Sequence, residues 1–138
     1  MNNIKSVGVA AALMRGARCH WGRRMIETTC HCGSISVRVP RKPRTLTQCN
    51  CSICRRYAAL WAYYKANEIQ VRAKGGSTSS YMWGDRSIRF VRCRRCGCVT
   101  HWAEETQMVS GRVGVNMRNA DPAILRSARI RYVDGSSM

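Results

Sequence analysis

The stretch CHCGSISVRV, residues 30–39, combines two features that recur along the chain: closely spaced cysteines and alternating apolar residues. Its isoleucine and two valines alternate with polar residues, which predicts a half-buried β-strand that ends at Pro40. Cys30 and Cys32 precede this strand directly. Two thiolates cannot complete a tetrahedral metal site, so the stretch predicts a strand anchored by a metal that it shares with cysteines elsewhere.

The nine cysteines fall, with one exception, into three tight groups. They lie at positions 30 and 32, at 49, 51 and 54, and at 93, 96 and 98, with the ninth at position 19. Cysteines this close together rarely meet the geometry of a disulfide, whereas their sulfurs converge readily on one metal ion. The odd total also leaves one thiol unpaired in an all-disulfide scheme. We therefore expect bound metal rather than a secreted disulfide scaffold, and a reducing, cytoplasmic location.

The segment CRRCG contains a second pair of cysteines that suits the first. Cys93 and Cys96 form a C-x-x-C knuckle, and Gly97 permits a tight turn after it. Joined to Cys30 and Cys32, this pair completes a four-cysteine zinc site. Such a site closes a loop of about sixty residues, which favours a structural role.

The segment CNCSIC, residues 49–54, supplies three further thiols: Cys49, Cys51 and Cys54. Three thiolates with one open position are typical of a catalytic zinc centre. Two alternatives remain: Cys98 could be a fourth ligand that closes the site, or the group could bind an iron–sulfur cluster, which also requires a fourth cysteine. We expect two zinc ions per chain, one structural and one catalytic, and we expect Cys19 to be a free thiol.

The remaining pattern predicts a mainly β fold of antiparallel sheets, held together by zinc–cysteine knuckles. A short helical turn is predicted over 52–58 and one short helix near the C-terminus, where Asp121 can cap the first turn and Pro122 can occupy it. A hairpin turn is predicted at Gly84–Asp85. Further strands are predicted at 60–64, 68–73, 79–83, 87–93, 99–104, 108–117 and 128–135.

Charge and hydropathy limit the location and the partners of the protein. The net charge of +17 is concentrated in residues 30–99, so it could attract an acidic substrate or a nucleic acid. No apolar run approaches the roughly 18 residues of a membrane-spanning helix. Residues 1–24 contain no acidic residue, and we expect them to be a disordered or dispensable extension of a domain over 25–138.

Several residues outside the cysteine groups carry a weaker signal. His31 lies between two cysteines and is expected to point outward, whereas His101 is expected to be a structural histidine. Trp61, Tyr63 and Tyr64 are expected to pack in the core first and to line a pocket second.

The order of the three cysteine groups resembles the glutathione-dependent formaldehyde-activating enzyme family, whose domain also occurs in centromere protein V. The matching segments are CHCGSISVRV (30–39), CNCSICRRYAALWAYY (49–64), YMWGDRSIRFVRCRRCGCVTHW (81–102) and GVNMRNADPA (114–123). The resemblance implies a β-tent fold with two zinc ions. It assigns the structural ligands to Cys30, Cys32, Cys93 and Cys96, and the catalytic ligands to Cys49, Cys51 and Cys54.

The resemblance also implies an activity: a zinc-dependent carbon–sulfur lyase or synthase that acts on a thiol–aldehyde adduct of the S-hydroxymethylglutathione type. Its small-molecule partners are then glutathione and formaldehyde, and Arg55 or Arg56 is predicted to hold a glutathione carboxylate. One alternative is a basic module that binds nucleic acid or protein, with both zincs structural. No basic helix or base-stacking motif supports it. Another is a redox or metal-storage protein.

Overall fold

The computed structural model describes residues 25–105 and 111–137. Ten strands and two short α-helices lie within this part, together with three single-turn 3₁₀ helices at Ala66–Glu68, Met117–Asn119 and Gly135–Ser137. The strands are β1 (Ile26–Thr29), β2 (Ile35–Val39), β3 (Thr45–Cys49), β4 (Trp61–Lys65), β5 (Gln70–Ala73), β6 (Thr78–Tyr81), β7 (Ile88–Cys93), β8 (Val99–Glu104), β9 (Arg112–Asn116) and β10 (Arg129–Val133). The helices are α1 (Ser52–Tyr57) and α2 (Pro122–Arg126). The predicted mainly β class is confirmed.

The strands form two sheets. A three-stranded antiparallel sheet has the order β1-β2-β5, and a seven-stranded sheet has the order β10-β3-β4-β9-β8-β7-β6. The sheets are antiparallel, as predicted, except at one edge of the large sheet, where β10 pairs with β3 in parallel, from Arg129↔Thr45 to Val133↔Cys49. A parallel pair needs a long crossover, and the chain between these two strands supplies one.

Two apolar clusters lie on opposite faces of the large sheet. Successive side chains in a strand point to opposite faces, so Ala62 and Trp61 of β4 belong to different clusters. The inner apolar cluster packs between the sheets and comprises Val37, Val39, Leu46, Leu60, Ala62, Tyr64, Val113, Val115, Met117 and Ala120. The outer apolar cluster lies beneath α1 and comprises Cys54, Ala59, Trp61, Phe90, Val99 and Trp102.

Most of the predicted elements are present, with shifted ends. The hairpin of β6 and β7 pairs antiparallel from Thr78↔Cys93 to Tyr81↔Phe90, around the expected turn. The Asp121 carboxylate accepts a hydrogen bond from the Ala123 N–H at 2.7 Å, so α2 is capped as predicted. The strand expected at 68–73 starts later because its first residue belongs to a 3₁₀ turn.

The predicted extension, residues 1–24, and Cys19 lie outside the described residues, as does part of the strand expected at 108–117. The domain boundary at residue 25 stays a prediction. Within 25–105 and 111–137, no helix has the length and apolar character of a membrane span.

Candidate metal centres and cleft

The first cysteine cluster joins the two sheets. Cys30 follows β1, Cys32 lies in the turn before β2, Cys93 ends β7, and Cys96 lies in the turn after it. The four sulfurs all lie within 4.8 Å of one another, with 3.7 Å between Cys30 and Cys32 and 3.6 Å between Cys32 and Cys93. Zinc bound by four thiolates at about 2.3 Å holds its sulfurs about 3.8 Å apart. The cluster therefore fits a four-cysteine zinc site.

Backbone groups support this first cluster. The Cys30 sulfur accepts a hydrogen bond from the Ile35 N–H at 3.3 Å, and the Cys93 sulfur accepts one from the Arg95 N–H at 3.4 Å. Burial raises the pKa of Cys30 to about 11. Backbone hydrogen bonds, of which the one from Cys98 has the largest effect, lower the pKa of Cys96 to about 5. A bound cation would offset the cost of ionising the buried Cys30.

Cys98 lies beside this first cluster and packs against its buried members, Cys30 and Cys93. Its backbone carbonyl accepts a hydrogen bond from the Cys93 N–H at 2.9 Å, which closes the turn. Cys98 is therefore placed with the first cluster and away from the CNCSIC group, which it would have to join as a fourth ligand.

The second cluster forms where β3 meets α1. Cys49 ends the strand, Cys51 precedes the helix, and Cys54 lies on it. The three sulfurs lie within 4.8 Å of one another, and no fourth His, Cys, Asp or Glu of the described residues joins them. Three convergent thiols with an open fourth direction fit zinc in the arrangement that catalytic sites use.

The second cluster is tied to the core through its most buried member. Burial raises the pKa of Cys54 to about 12, although the Trp61 indole N–H opposes this by donating a hydrogen bond to the Cys54 sulfur at 3.3 Å. The Cys49 sulfur accepts a hydrogen bond from the Cys51 N–H at 3.4 Å. A cation and these donors together would favour the thiolate forms that metal binding requires.

A cleft of about 450 Å³ opens beside the second cluster. Two of the three cluster cysteines, Cys49 and Cys54, are in its wall, so the cluster borders the cleft. The lining residues are Gln48, Cys49, Asn50, Cys54, Arg55, Ala58, Ala59, Arg118, Tyr132, Val133 and Asp134.

The segment after β10 packs against the second cluster. The Asn50 side chain donates to the Asp134 carboxylate at 2.9 Å and accepts from the Ser136 N–H at 3.0 Å. Between these two contacts, a Cβ on Gly135 would lie 2.5 Å from the Cys49 sulfur. Hydrogen bonds from the hydroxyl groups of Ser136 and Ser137 hold the pKa of Asp134 well below its usual range, and the hydrogen bond from the Asn50 side chain adds to this effect. The segment thus presents a carboxylate to the cleft and requires glycine where it touches the cysteines.

Arg118 reaches the cleft from the 3₁₀ turn that follows β9. Its Nε donates to the Ala58 carbonyl at 3.1 Å, which fixes the guanidinium beside the end of α1. Ala58 has φ 49°, in the left-handed region where a helix commonly ends. The Asn116 side chain caps the turn by accepting from the Arg118 N–H at 3.2 Å. Neither Arg118 nor Asp134 carries a local sequence signal for this role, because chain segments far apart in sequence bring them together.

The two arginines that the sequence singled out differ in position. Arg55 lines the cleft, whereas Arg56 does not, and the Arg56 Nη1 donates to the Ser52 carbonyl at 2.7 Å. The two histidines in the described residues are placed as expected: His31 is exposed, and His101 is 8% exposed with its Nδ1 2.9 Å from the Thr100 hydroxyl.

The fold and the site define the class of this protein. It is a mainly β domain with two cysteine clusters that fit zinc, one of which borders a cleft. The model of the glutathione-dependent formaldehyde-activating enzyme family matches residues 25–129, and the chain belongs to this family. The solved structure of a Rhodobacter sphaeroides protein is 26% identical, with a TM-score of 0.63; the match covers 77% of this chain and 100% of that one. No curated protein matches the chain. The resemblance seen in the sequence is confirmed.

Proposed function

We propose that this protein is a carbon–sulfur lyase that forms and cleaves a thiol–aldehyde adduct of the S-hydroxymethylglutathione type. One observation carries the proposal: Cys49, Cys51 and Cys54 converge without a fourth protein ligand in the described residues, and the cluster faces a cleft. The family description, which names glutathione and formaldehyde, supports the choice of partners.

The thiol and the aldehyde together supply every atom of the adduct. The thiol sulfur bonds to the aldehyde carbon, the carbonyl π bond breaks, and the thiol proton passes to the new hydroxyl oxygen. A zinc ion held by the three cysteines would supply Lewis acidity toward a thiol or carbonyl in the cleft. Addition also requires that both partners be held together, which side chains in the wall of the cleft can achieve.

The residues of the chain orient the substrate and the cluster. Trp61 donates to the Cys54 sulfur and so stabilises its charged form. Arg55 is exposed at the wall of the cleft, where its guanidinium can bind a carboxylate of an anionic thiol. We assign a structural role to the first cluster, because it joins the turn between β1 and β2 to the end of β7.

Zinc content and adduct exchange together test this function. The chain should bind two zinc ions, and Cys51→Ser should bind one, retain the fold and lose catalysed exchange between free and formaldehyde-bound glutathione, followed by NMR. Cys98→Ser is the control, because Cys98 lies beside the first cluster; this variant should keep the second zinc and the activity. Loss of that zinc in Cys98→Ser, or full activity in Cys51→Ser, would contradict the proposal. Salt-sensitive binding to DNA or RNA without adduct exchange would support the nucleic-acid alternative.

The two arginines offer a matched comparison for the carboxylate contact. Arg55→Ala should raise the KM for glutathione about tenfold, the change expected from about 1.4 kcal/mol of lost binding. Arg56→Ala should change it less, since Arg56 does not line the cleft. Equal effects of the two substitutions would remove the basis for assigning the contact to Arg55.

A further inference from the structure

We propose that a second cavity, at the start of β3, binds a dianionic phosphate group, either free or carried by an organic molecule. Thr45 begins β3 and Cys49 ends it, so about 13 Å of extended chain separates this cavity from the second cysteine cluster. The cavity, called the basic cavity below, measures about 380 Å³ and shares no wall residue with the cleft. Its walls are formed by Arg41, Lys42, Pro43, Arg44, Thr45, Ala62, Tyr63 and Tyr64.

The basic cavity exists because β3 and β4 diverge. Each strand pairs at five positions with its other neighbour, but the two pair with each other only at Thr47↔Trp61. The next two residues that could exchange hydrogen bonds across this antiparallel pair are Thr45 and Tyr63, and the ladder does not reach them. The Tyr63 N–H therefore has no partner in β3, and it can donate to a ligand between the strands.

The loop between β2 and β3 supplies three cationic side chains to the wall: Arg41, Lys42 and Arg44. Both ends of this loop are fixed by hydrogen bonds. The Tyr64 hydroxyl donates to the Arg41 carbonyl at 3.0 Å, and the Arg129 N–H donates to the Arg44 carbonyl at 2.9 Å. These contacts hold the charged loop beside the basic cavity.

The charges in the wall favour a dianion. Arg41 is paired with Glu68, with 3.1 Å between Nη1 and Oε1. Lys42 and Arg44 form no ion pair within the described residues, which include all seven acidic residues of the chain. Two cations therefore remain without a carboxylate partner. A phosphate monoester carries a charge of about −1.5 to −2 at pH 7, which matches this excess better than a monoanion does.

The remaining wall suits a phosphate group with a small carrier. The planar guanidinium of Arg44 can bind two phosphate oxygens, and Lys42 adds a point charge. Pro43 and Ala62 are buried and apolar, so they can contact part of an organic group. The volume of the basic cavity is also within the usual range of small-molecule sites.

Binding to the full zinc-loaded chain tests the charge of the ligand. Methyl phosphate and methyl sulfate have the same shape, but at pH 7.5 the phosphate carries about one more negative charge. Calorimetry should therefore find methyl phosphate favoured at least about tenfold. Equal binding of these two esters, or no binding of methyl phosphate, would overturn the proposal.

Two further probes distinguish the sources of the phosphate group. Inorganic phosphate and phenyl phosphate would be compared in the same calorimetric experiment. Stronger binding of phenyl phosphate would identify an organic ester as the ligand of the basic cavity. Equal or weaker binding of phenyl phosphate would identify free phosphate.

Variants assign the binding to the basic cavity. Lys42→Gln and Arg44→Gln replace exposed side chains, so both should retain the fold and the zinc content, and each should weaken methyl phosphate binding about tenfold. Arg55→Gln is the matched control, because Arg55 lines the cleft and not the basic cavity. Loss of binding in Arg55→Gln but not in Arg44→Gln would place the anion in the cleft and overturn the proposal.

The outcome is independent of the proposed function. Cys51→Ser should bind methyl phosphate as tightly as the unaltered chain, whether or not that chain catalyses adduct exchange. Weaker binding in Cys51→Ser would link the anion to the second cysteine cluster and overturn a separate site.

Discussion

The indole N–H of Trp61 donates a hydrogen bond to the sulfur of Cys54 at 3.3 Å, and this contact links the core to the second cysteine cluster. Trp61 is 1% exposed and packs against Phe90 and Trp102, with ring centroids 6.1 and 6.4 Å away. The donor is therefore held rigidly. Because burial opposes ionisation of Cys54, a fixed donor would favour metal binding at this cluster and also contributes to packing.

Replacing this donor should weaken the second metal site selectively. Trp61→Phe removes the N–H and keeps an aromatic ring, so zinc affinity at the second cluster should fall about 10–100-fold, the usual range for a residue that supports a metal ligand. Chelator competition measures this affinity. Trp102→Phe is the control, because Trp102 packs in the same apolar cluster as Trp61 but makes no hydrogen bond to Cys54. An equal loss in both variants would mean that packing, not the hydrogen bond, sets the affinity.

Gly135→Ala should also affect only the second cluster. The new Cβ would lie 2.5 Å from the Cys49 sulfur and 2.9 Å from the Cys51 Cβ, so the cysteines or the segment after β10 must move. We expect the second zinc to bind more weakly while the first is retained, as measured by zinc content during stepwise chelation. Gly75→Ala provides the comparison, since its Cβ would meet nothing within 4 Å. A Gly135→Ala protein that holds both zincs as tightly as the unaltered chain would contradict this expectation.

Gly114 accommodates Trp102 across the strand pair of β8 and β9. A Cβ at Gly114 would lie 2.1 Å from the indole nitrogen of Trp102, and the two residues are direct cross-strand partners. Gly114→Ala should lower the free energy of unfolding by about 1–3 kcal/mol through overpacking. Urea denaturation measures the loss, and an unchanged midpoint would show that the indole moves aside without cost.

His101 should make stability depend on pH. Burial lowers its pKa to about 4, below the ordinary value of 6.5, so the folded state favours the neutral ring. The unfolded chain binds this proton first as pH falls, so the stabilisation is complete above about pH 6.5 and is lost progressively toward pH 4. Between pH 7 and pH 5 the loss amounts to about 2 kcal/mol.

The variant His101→Gln isolates this effect. It cannot take up the proton, so its free energy of unfolding should fall about 2 kcal/mol less than that of the unaltered chain over the same pH interval. Both proteins keep all the cysteines, so proton competition for zinc affects both and cancels in the comparison. Parallel pH profiles would show that the buried ring does not contribute.

The cysteine groups and several strands were predictable because their signals are local. Alternation at β2, the capped start of α2 and the spacing of the cysteines all lie within short windows of sequence. The strand β3 was not predicted, since TLTQC lacks clear alternation and pairs with β4 through the single register Thr47↔Trp61. The strand β3 also pairs at five positions with β10, and β10 lies more than eighty residues further along the chain.

The cleft was less predictable than the cysteine clusters, for the same reason. Arg55 follows Cys54 directly, and the sequence pointed to it. Arg118, Asp134 and Gly135 reach the site through the end of β9 and the parallel pairing of β10, and no short motif encodes that topology. The charges of the chain were readable from composition, whereas their convergence at one cleft depends on tertiary structure.

The parallel pairing of β10 with β3 also has a consequence for the order of folding during synthesis. The strand that ends in Cys49 obtains most of its hydrogen bonds from residues 129–133, and loop closure over this distance is slow. Cys30, Cys32, Cys93 and Cys96 emerge from the ribosome before that partner strand exists. The first cysteine cluster can therefore assemble on a growing chain, while the second acquires its final geometry only after Val133 has been translated.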